Sequence, residues 1–145
     1  SYLLHSTNIL EFNALSCIKE EKDNLELAKV IAKMLFSLGF SPKHTGYSYL
    51  KDIIKQVVIN GGVVASLISD QYPYIAIKYK TTPCNIERNI RNAISLAYKS
   101  KSNSVWGELF CDCMFLEANK CPTNREFICM CADKLLTKFQ RSQFA

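Results

Sequence analysis

Apolar residues recur at intervals of three and four along most of the chain, which is the spacing of helices with one buried face. The pattern predicts helices over residues 25–38 and 49–58, a third helical stretch over 63–69, a short helix over 105–110 and a last helix from 123. Gly39 and the Gly61–Gly62 pair are placed to end the first two helices. These five predicted elements are all helical.

The last predicted helix opens with a capping box. Thr123 and Glu126 have the Thr-x-x-Glu spacing, in which each side chain bonds the backbone N–H of the other residue. The apolar residues that follow are predicted to be buried: Phe127, Ile128, Cys131, Leu135 and Phe139. Trp106, in the short helix before it, is predicted to be a packing anchor.

Residues 72–101 have the pattern of a helix-turn-helix. Pro73 suits the first turn of a short helix, and Ala76 is small enough to let a second helix pack closely against it. Thr82 and Pro83 then form an N-cap followed by proline at the first helical position. A second, longer helix is therefore predicted over about 83–99.

This longer helix has two faces when each residue is advanced by about 100°. Its apolar residues share one arc and are predicted to face the core: Ile86, Ile90, Ala93, Ile94 and Ala97. Its polar residues share the opposite arc: Cys84, Glu87, Arg88, Arg91, Asn92 and Ser95, with Asn85 and Asn89 at its margin. Arginine can bind guanine and asparagine can bind adenine through two hydrogen bonds, and glutamate can accept from cytosine. The outward arc therefore carries groups that can read base edges.

Positive charge is concentrated in the same segment. Residues 72–101 contain six basic residues and one acidic residue, so their charge is 6 − 1 = +5, which equals the formal net charge of the whole chain. A polyanion would be attracted to this segment rather than to the molecule at large. On pattern alone, an ordinary solvated amphipathic helix explains the outward arc equally well.

The run IERNIRNAI at 86–94, with YPYIAIKYKTT before it, resembles the recognition region of the stage-zero sporulation protein A family, which comprises response-regulator transcription factors. The likeness continues in GYSYL at 46–50, in ELF at 108–110 and in CPTNREFICMCADKL at 121–135. It implies an all-α fold, a compact bundle of about six helices. Its helix-turn-helix, about 72–100, is expected to bind double-stranded DNA at a short operator box.

The resemblance also implies roles for individual residues. Glu87, Arg88 and Arg91 match the family's DNA-contacting Glu-Arg-x-x-Arg pattern, and Arg88 is the first choice for a guanine contact. The chain has Cys84, Asn85 and Asn92 where the family commonly has Ser, Arg and His, so its operator is expected to differ. The expected base-reading residues are Glu87, Arg88, Arg91, Asn92 and Cys84. The expected phosphate contacts are Lys78, Lys80, Thr82, Asn85, Ser95 and Lys99.

Protein partners follow from the same resemblance. Two copies are expected to pair as a homodimer on adjacent or inverted boxes. The family also contacts the sigma subunit of RNA polymerase in the region that corresponds to residues 101–114. Phe110 matches the family residue there, whereas Lys101 and Met114 do not.

Residues 1–22 match nothing in the family and are predicted to be an N-terminal extension ahead of an effector domain at 23–145. Their apolar residues predict a helix or strand docked on the domain or on a partner, and the charged run 19–24 is a candidate hinge. Family members carry a phosphate-accepting receiver domain ahead of the effector, and this segment is too short to be one. The chain is therefore expected to be a fragment or a regulator without phosphorylation control.

Composition and motifs narrow the other classes. A chain of 145 residues with 48% hydrophobic content suits a single domain with one core. No apolar run reaches the ~20 residues of a membrane span, and the start lacks a secretory signal. The protein is therefore predicted to be cytoplasmic, with no membrane partner. The two histidines lie near no evident nucleophile or carboxylate, and no nucleotide-binding loop is present, so neither an enzyme nor a cofactor is predicted.

The chain has seven cysteines, five of them arranged as Cys111-x-Cys113, Cys121 and Cys129-x-Cys131. One intervening residue on a helix turns two sulfurs about 200° apart, whereas zinc knuckles have two intervening residues. Buried reduced thiols are therefore favoured over a metal site. Two alternatives to a DNA-binding regulator stay open: a protein-interaction module that binds a family member or RNA polymerase, and a thiol-based metal or redox sensor.

Overall fold

The computed structural model describes the backbone of residues 2–64, 66–100, 103–110 and 120–144, and the side chains of 14–64, 66–100, 106–108, 110 and 120–138. Every regular element in this part of the chain is helical, which confirms the predicted all-α class. The elements are α1 (Tyr2–Ser37), α2 (Thr45–Ile59), a π-helix (Leu67–Gln71), α3 (Tyr72–Lys78), α4 (Pro83–Ser100), α5 (Asn103–Phe110) and α6 (Asn124–Phe144). None of the helices in the described residues is long and apolar enough to span a membrane.

The chain divides into two compact units, residues 1–30 and residues 31–145. Helix α1 runs without interruption through residues 19–24, so the expected hinge there is wrong. In the first unit, the side chains of residues 14–23 are all exposed. The predicted domain boundary after residue 22 stays a prediction.

The core of the second unit is formed by the apolar faces that the periodicity predicts. Ile31 and Leu35 are buried in the last turns of α1 and Leu38 directly after it, whereas Met34 is only half-buried. In α2, predicted as a helix over 49–58, the buried apolar residues include Leu50, Ile53, Ile54, Val57 and Val58. Helix α2 packs against both α4 and α6, and α3 packs against α4. Apolar burial on these faces is the main favourable term that holds the helices together.

Two helices end in the glycine motif that the sequence predicts. At the end of α1, the Phe40 N–H donates to the Leu35 carbonyl oxygen at 3.0 Å, and Gly39 has φ +93°. At the end of α2, the Gly62 N–H donates to the Val57 carbonyl oxygen at 2.8 Å, and Gly61 has φ +75°. Each left-handed residue reverses the chain so that the last carbonyls find donors.

An aromatic cluster joins α5 to the core. The Trp106 ring lies 5.4 Å from Tyr98 and 5.6 Å from Phe127, measured between ring centroids. Its Nε1–H donates to the Leu38 carbonyl oxygen at 3.0 Å. Trp106 is buried, so the predicted role as a packing anchor is confirmed.

The stretch predicted to be helical over 63–69 differs from the prediction. Val63 and Val64 lie outside any helix, and the turn begins at Leu67 as a π-helix that continues directly into α3. Ser66 precedes it, and its hydroxyl accepts a hydrogen bond from the Ser69 N–H at 3.3 Å. An element of only five residues is too short for its apolar residues to repeat, so periodicity does not separate an α-helical turn from a π-helical one.

The capping box at the start of α6 is confirmed. The Glu126 N–H donates to Thr123 Oγ1 at 3.2 Å, and the Thr123 N–H donates to Glu126 Oε1 at 3.4 Å. Behind it, Phe127, Ile128, Cys131 and Leu135 are buried, as predicted. The side chain of Phe139 lies outside the described residues.

Candidate nucleic-acid interface

Helices α3 and α4 form the predicted helix-turn-helix, with residues 79–82 as the turn. The Thr81 N–H donates to the Ala76 carbonyl oxygen at 2.9 Å, and the Lys80 N–H donates to the Ile77 carbonyl oxygen at 3.3 Å. This is the closure also found at Gly39 and Gly61, but here a lysine occupies the left-handed position, with φ +53°. Such a conformation strains a residue that has a Cβ.

The start of α4 is fixed as the sequence predicts. Thr82 Oγ1 accepts a hydrogen bond from the Asn85 N–H at 3.2 Å, and Pro83 is the first helical residue. The Thr82 cap satisfies one of the N–H groups that has no partner inside the helix. The predicted N-cap and proline are therefore confirmed.

The two faces of α4 are those that the sequence predicts. All five apolar residues of the inward arc are buried: Ile86, Ile90, Ala93, Ile94 and Ala97. On the other side Cys84, Arg88, Arg91 and Asn92 are exposed, and Glu87 and Ser95 are half-buried. Arginine, asparagine and glutamate side chains therefore stand together on the solvent side of a single helix.

Helix α2 sets how closely α4 approaches the core. A Cβ added at Gly46 would lie 2.1 Å from the carbonyl oxygen of Asn89 and 3.0 Å from the Cβ of Ala93. The two backbones are therefore in direct contact, and Gly46 is required by this approach. The glycine stands at the beginning of the GYSYL motif.

Two arginines of the outward face are oriented by neighbours on the same helix. Arg91 Nη1 donates to Glu87 Oε1 at 2.9 Å, with 62% of the arginine side chain and 37% of the glutamate side chain exposed. Arg88 Nη2 lies 3.5 Å from Asn85 Oδ1. An exposed ion pair such as Glu87–Arg91 contributes little to stability. Arg91 can therefore exchange this contact for one to a base or a phosphate, and Glu87 for one to a base, at small cost in free energy.

A ladder of amides runs along the margin of this face. Asn89 Nδ2 donates to Asn85 Oδ1 at 2.9 Å and to the Asn85 carbonyl oxygen at 2.7 Å. Asn85 Nδ2 in turn donates to Thr81 Oγ1 at 2.8 Å. The Asn85 side chain is thereby held against the turn, and one of its N–H groups is already used within the protein.

The two lysines expected at phosphates have different surroundings. Lys78 Nζ lies 2.8 Å from Asp52 Oδ2, and the Tyr79 hydroxyl donates to the same oxygen at 2.6 Å. Burial and this hydrogen bond raise the pKa of Tyr79 well above its ordinary range. Lys80 is exposed, and no ion pair involves it among the described residues.

Asn124 is a residue of this region that the sequence analysis did not single out. Its Nδ2 donates to the Glu87 carbonyl oxygen and to the Tyr72 hydroxyl, both at 3.1 Å. Burial raises the pKa of Tyr72, while the bond from Asn124 acts in the opposite direction. The sequence around the capping box does not reveal that Asn124 contacts Glu87, because this contact depends on how α6 packs against α4.

An open cleft of about 580 Å³ lies between the π-helix, α4 and the start of α6. Leu67, Tyr72 and Pro122 contribute apolar wall, and Arg91 and Arg125 contribute charge. Because Glu87 and Arg91 belong to this wall, the cleft opens beside the outward face of α4.

Of the three residues expected to contact polymerase, Phe110 alone has a described side chain. Phe110 is only 1% exposed and packs against Trp106 and Phe127. Its side chain is therefore unavailable for a surface contact, and the role expected for it is corrected to one in the core. Lys101 and Met114 lie outside the residues with described side chains.

The cysteines have mixed surroundings. Cys131 is buried, as expected, whereas Cys129 is only half-buried and burial raises the pKa of its thiol. Cys84 is exposed on the outward face of α4. No group of three metal-ligating side chains occurs within the described residues, and Cys111 and Cys113 are not among these.

A comparison with protein families gives one match over most of the chain. The family model described as Sporulation initiation factor Spo0A C terminal matches residues 31–135, which is 135 − 31 + 1 = 105 of the 145 residues. The match includes the helix-turn-helix, the GYSYL motif and the start of α6.

Proposed function

The chain belongs to the family of the sporulation initiation factor Spo0A C-terminal domain, a DNA-binding domain of sporulation transcription factors, and we propose that it reads a specific operator by inserting α4 into the major groove. The family is a DNA-binding regulatory domain rather than a class of enzyme. The proposal adds to this the reading element, the side chains involved and the kind of site.

The outward face of α4 is the observation that carries the proposal. An α-helix with its side chains is about 10–12 Å across, and the major groove is about 12 Å wide. The exposed residues on that face include the types that discriminate base pairs. We assign Arg88 to a guanine because its side chain is exposed. Among the described residues its one hydrogen-bond partner is Asn85, at 3.5 Å, which is the upper limit for such a bond.

Glu87 and Arg91 act as a pair in this proposal. Their 2.9 Å contact supports a role for Glu87 in orienting Arg91, which then binds a base or a nearby phosphate. Asn92 is exposed one residue further along and offers both a donor and an acceptor to an adenine. Cys84, exposed in the first turn, completes the base-reading set.

Phosphate contacts would come from the end of α3, from the turn and from α4 itself. The proposed set is Lys78, Lys80, Thr82, Asn85, Ser95 and Lys99. Lys80 is the strongest member, since it is exposed in the turn just ahead of α4. Asn85 is the weakest, because its side chain already bonds Thr81 and Asn89.

A selection from random duplex DNA at near-physiological salt tests the proposal. We expect the wild type to enrich a short box, singly or as a pair of boxes that two copies occupy. Arg88→Ala is expected to lose about 1–3 kcal/mol on the best box and to relax the preference at one position. Lys43→Ala, which also removes one exposed positive charge, is the control and should keep the same preference.

One result would contradict the proposed function, and another would contradict only the role of Arg88. A folded wild-type protein that enriches no box would remove sequence-specific reading altogether. An Arg88→Ala variant with unchanged affinity and preference would remove the assigned role of that residue while leaving the function in place.

A protein-interaction module is the second function that an observation favours. Within residues 1–30, α1 exposes Leu15 (67%), Ile18 (53%) and Leu25 (62%). These three lie within about 80° of one another around the helix axis. A folded protein that enriches no DNA but changes its sedimentation when Leu15, Ile18 and Leu25 are replaced together by Ser would support this function.

A further inference from the structure

Asn124 links the start of α6 to the middle of α4. Its amide nitrogen lies 3.1 Å from the Glu87 carbonyl oxygen, and this oxygen can only accept. The orientation of the Asn124 amide is therefore fixed by its partner. The second N–H points to the Tyr72 hydroxyl at the start of α3, also at 3.1 Å.

The bonded carbonyl has a special position in α4. It belongs to the peptide bond that joins Glu87 to Arg88, two of the residues proposed to read bases. A bond to this peptide group sets the position of both Cα atoms at once. The remaining contacts of α4 with α2 and α3 are largely apolar and non-directional, whereas a hydrogen bond depends on angle and distance.

The donor itself is held firmly. Thr123 and Glu126 close the capping box on either side of Asn124. Pro122 and Phe127 are buried next to that box, so the start of α6 is anchored in the core. The Asn124 amide therefore has a fixed position, and its hydrogen bond can orient α4. On the other side of α4, Gly46 limits how closely α2 approaches at Asn89.

We propose that Asn124 is a positioning residue for base reading: its bond to the Glu87–Arg88 peptide fixes the rotation of α4 about its axis, and thereby which base edges Glu87 and Arg88 reach. This inference rests on the proposed function. It assigns Asn124 no contact with DNA. Loss of the bond then relaxes discrimination between sequences without changing the number of phosphates contacted.

The test compares Asn124→Ala with Trp106→Phe. Trp106→Phe also removes one hydrogen bond to a backbone carbonyl, that of Leu38, and so controls for a general loss of stability. Affinities are measured for the best box and for a box changed at the position that Arg88 reads, at several salt concentrations. We expect Asn124→Ala to lose about tenfold in the ratio of the two affinities, with an unchanged salt slope, while Trp106→Phe keeps the wild-type ratio.

Each outcome decides the matter. A wild-type ratio in Asn124→Ala overturns the inference and leaves the proposed function standing, as does an equal loss in Trp106→Phe. A wild type that itself shows no discrimination overturns the proposed function and the inference with it. If circular dichroism shows that Asn124→Ala does not fold, Asn124→Asp replaces it. The carboxylate keeps the size of the side chain and suits the start of a helix, yet it has no N–H to give to Glu87.

Discussion

Single residues at the end of α3 and in the turn that follows differ in how freely they can contact a phosphate. Lys78 is paired with Asp52 at 2.8 Å, whereas Lys80 is exposed in a left-handed conformation. A lysine that is already paired with a carboxylate neutralises less phosphate charge, so fewer counterions are released from the DNA when the protein binds. Phosphate contacts at these two positions should therefore be unequal even though the residues are two apart.

Lys80→Ala is expected to weaken DNA binding on every sequence and to reduce the slope of log affinity against log salt by about 1. Lys78→Ala should reduce it by less, because its charge is already offset by Asp52. Filter binding or fluorescence anisotropy between ~50 and 200 mM salt measures both slopes. Equal reductions in the two variants would show that the ion pair with Asp52 opens completely on DNA.

Tyr79 gives the fold a dependence on alkaline pH. Its pKa is raised in the folded protein, chiefly by burial and then by the bond to Asp52, whereas an unfolded tyrosine has a pKa of about 10. Above that pH the folded state binds more protons than the unfolded state. This contribution to stability is therefore present below about pH 10 and is lost as the pH rises further.

Urea midpoints at pH 8 and pH 11 measure this effect. Tyr79→Phe should be less stable than the wild type at pH 8, by about 0.5–1.5 kcal/mol for one hydrogen bond, and the difference should shrink at pH 11. Tyr74→Phe, at an exposed ring, is the control and should follow the wild type. A constant difference between Tyr79→Phe and the wild type at both pH values would refute the assignment.

At the scale of elements, the contact between α2 and α4 is so close that it leaves no room for a side chain at Gly46. Gly46→Ala would place a methyl group 2.1 Å from the Asn89 carbonyl oxygen, so the two helices must separate. We expect a loss of about 2–3 kcal/mol in the free energy of unfolding. DNA affinity should fall as well, since α4 moves.

Gly107→Ala is the matched control for that change. Gly107 also lies in a helix, but no described atom lies within 4 Å of an added Cβ. Alanine there should stabilise the protein by about 0.5–1 kcal/mol. Thermal melts of both variants give the comparison, and a Gly46→Ala variant as stable as the wild type would mean that the two backbones are not in contact in solution.

Local patterns predicted those elements whose signals lie within a few residues. The two faces of α4, the Thr82 cap, the capping box at Thr123 and the stop at Gly39 all depend on near neighbours in sequence, and all are confirmed. The sequence alone is therefore enough to predict which residues form the outward face of α4.

Contacts across the fold were not predictable in this way. Asp52 meets Tyr79 across 27 residues, and Asn124 meets Glu87 across 37. Phe110 was expected to contact polymerase from the family resemblance, but its side chain is buried. Such pairings depend on how whole helices pack together, which a local sequence pattern does not predict.

At the scale of the whole molecule, the charge and the fold coincide in one segment. The excess of +5 falls within residues 72–101, so the remainder of the chain is neutral overall. The segment begins with α3 and includes the whole of α4. Long-range attraction of a polyanion therefore brings it to the helix-turn-helix first.

Deleting residues 1–22 should leave both the melting temperature and the DNA affinity close to those of the full chain. The described side chains in that stretch, residues 14–22, are all exposed and add little buried area. Deleting residues 1–37 is the comparison and should unfold the protein, because it removes the buried Ile31 and Leu35. A large drop in melting temperature for the shorter deletion would place part of the stabilising core within residues 1–22.

The close approach at Gly46 also bears on how other chains of this kind can be interpreted. A residue with any side chain at the equivalent position would need a different separation between α2 and α4. Glycine at that position therefore indicates, from sequence alone, that α4 approaches α2 as closely as it does here. A relative that lacked it would hold the helix corresponding to α4 further from its own core and, under the proposed function, would insert that helix into the major groove to a different depth.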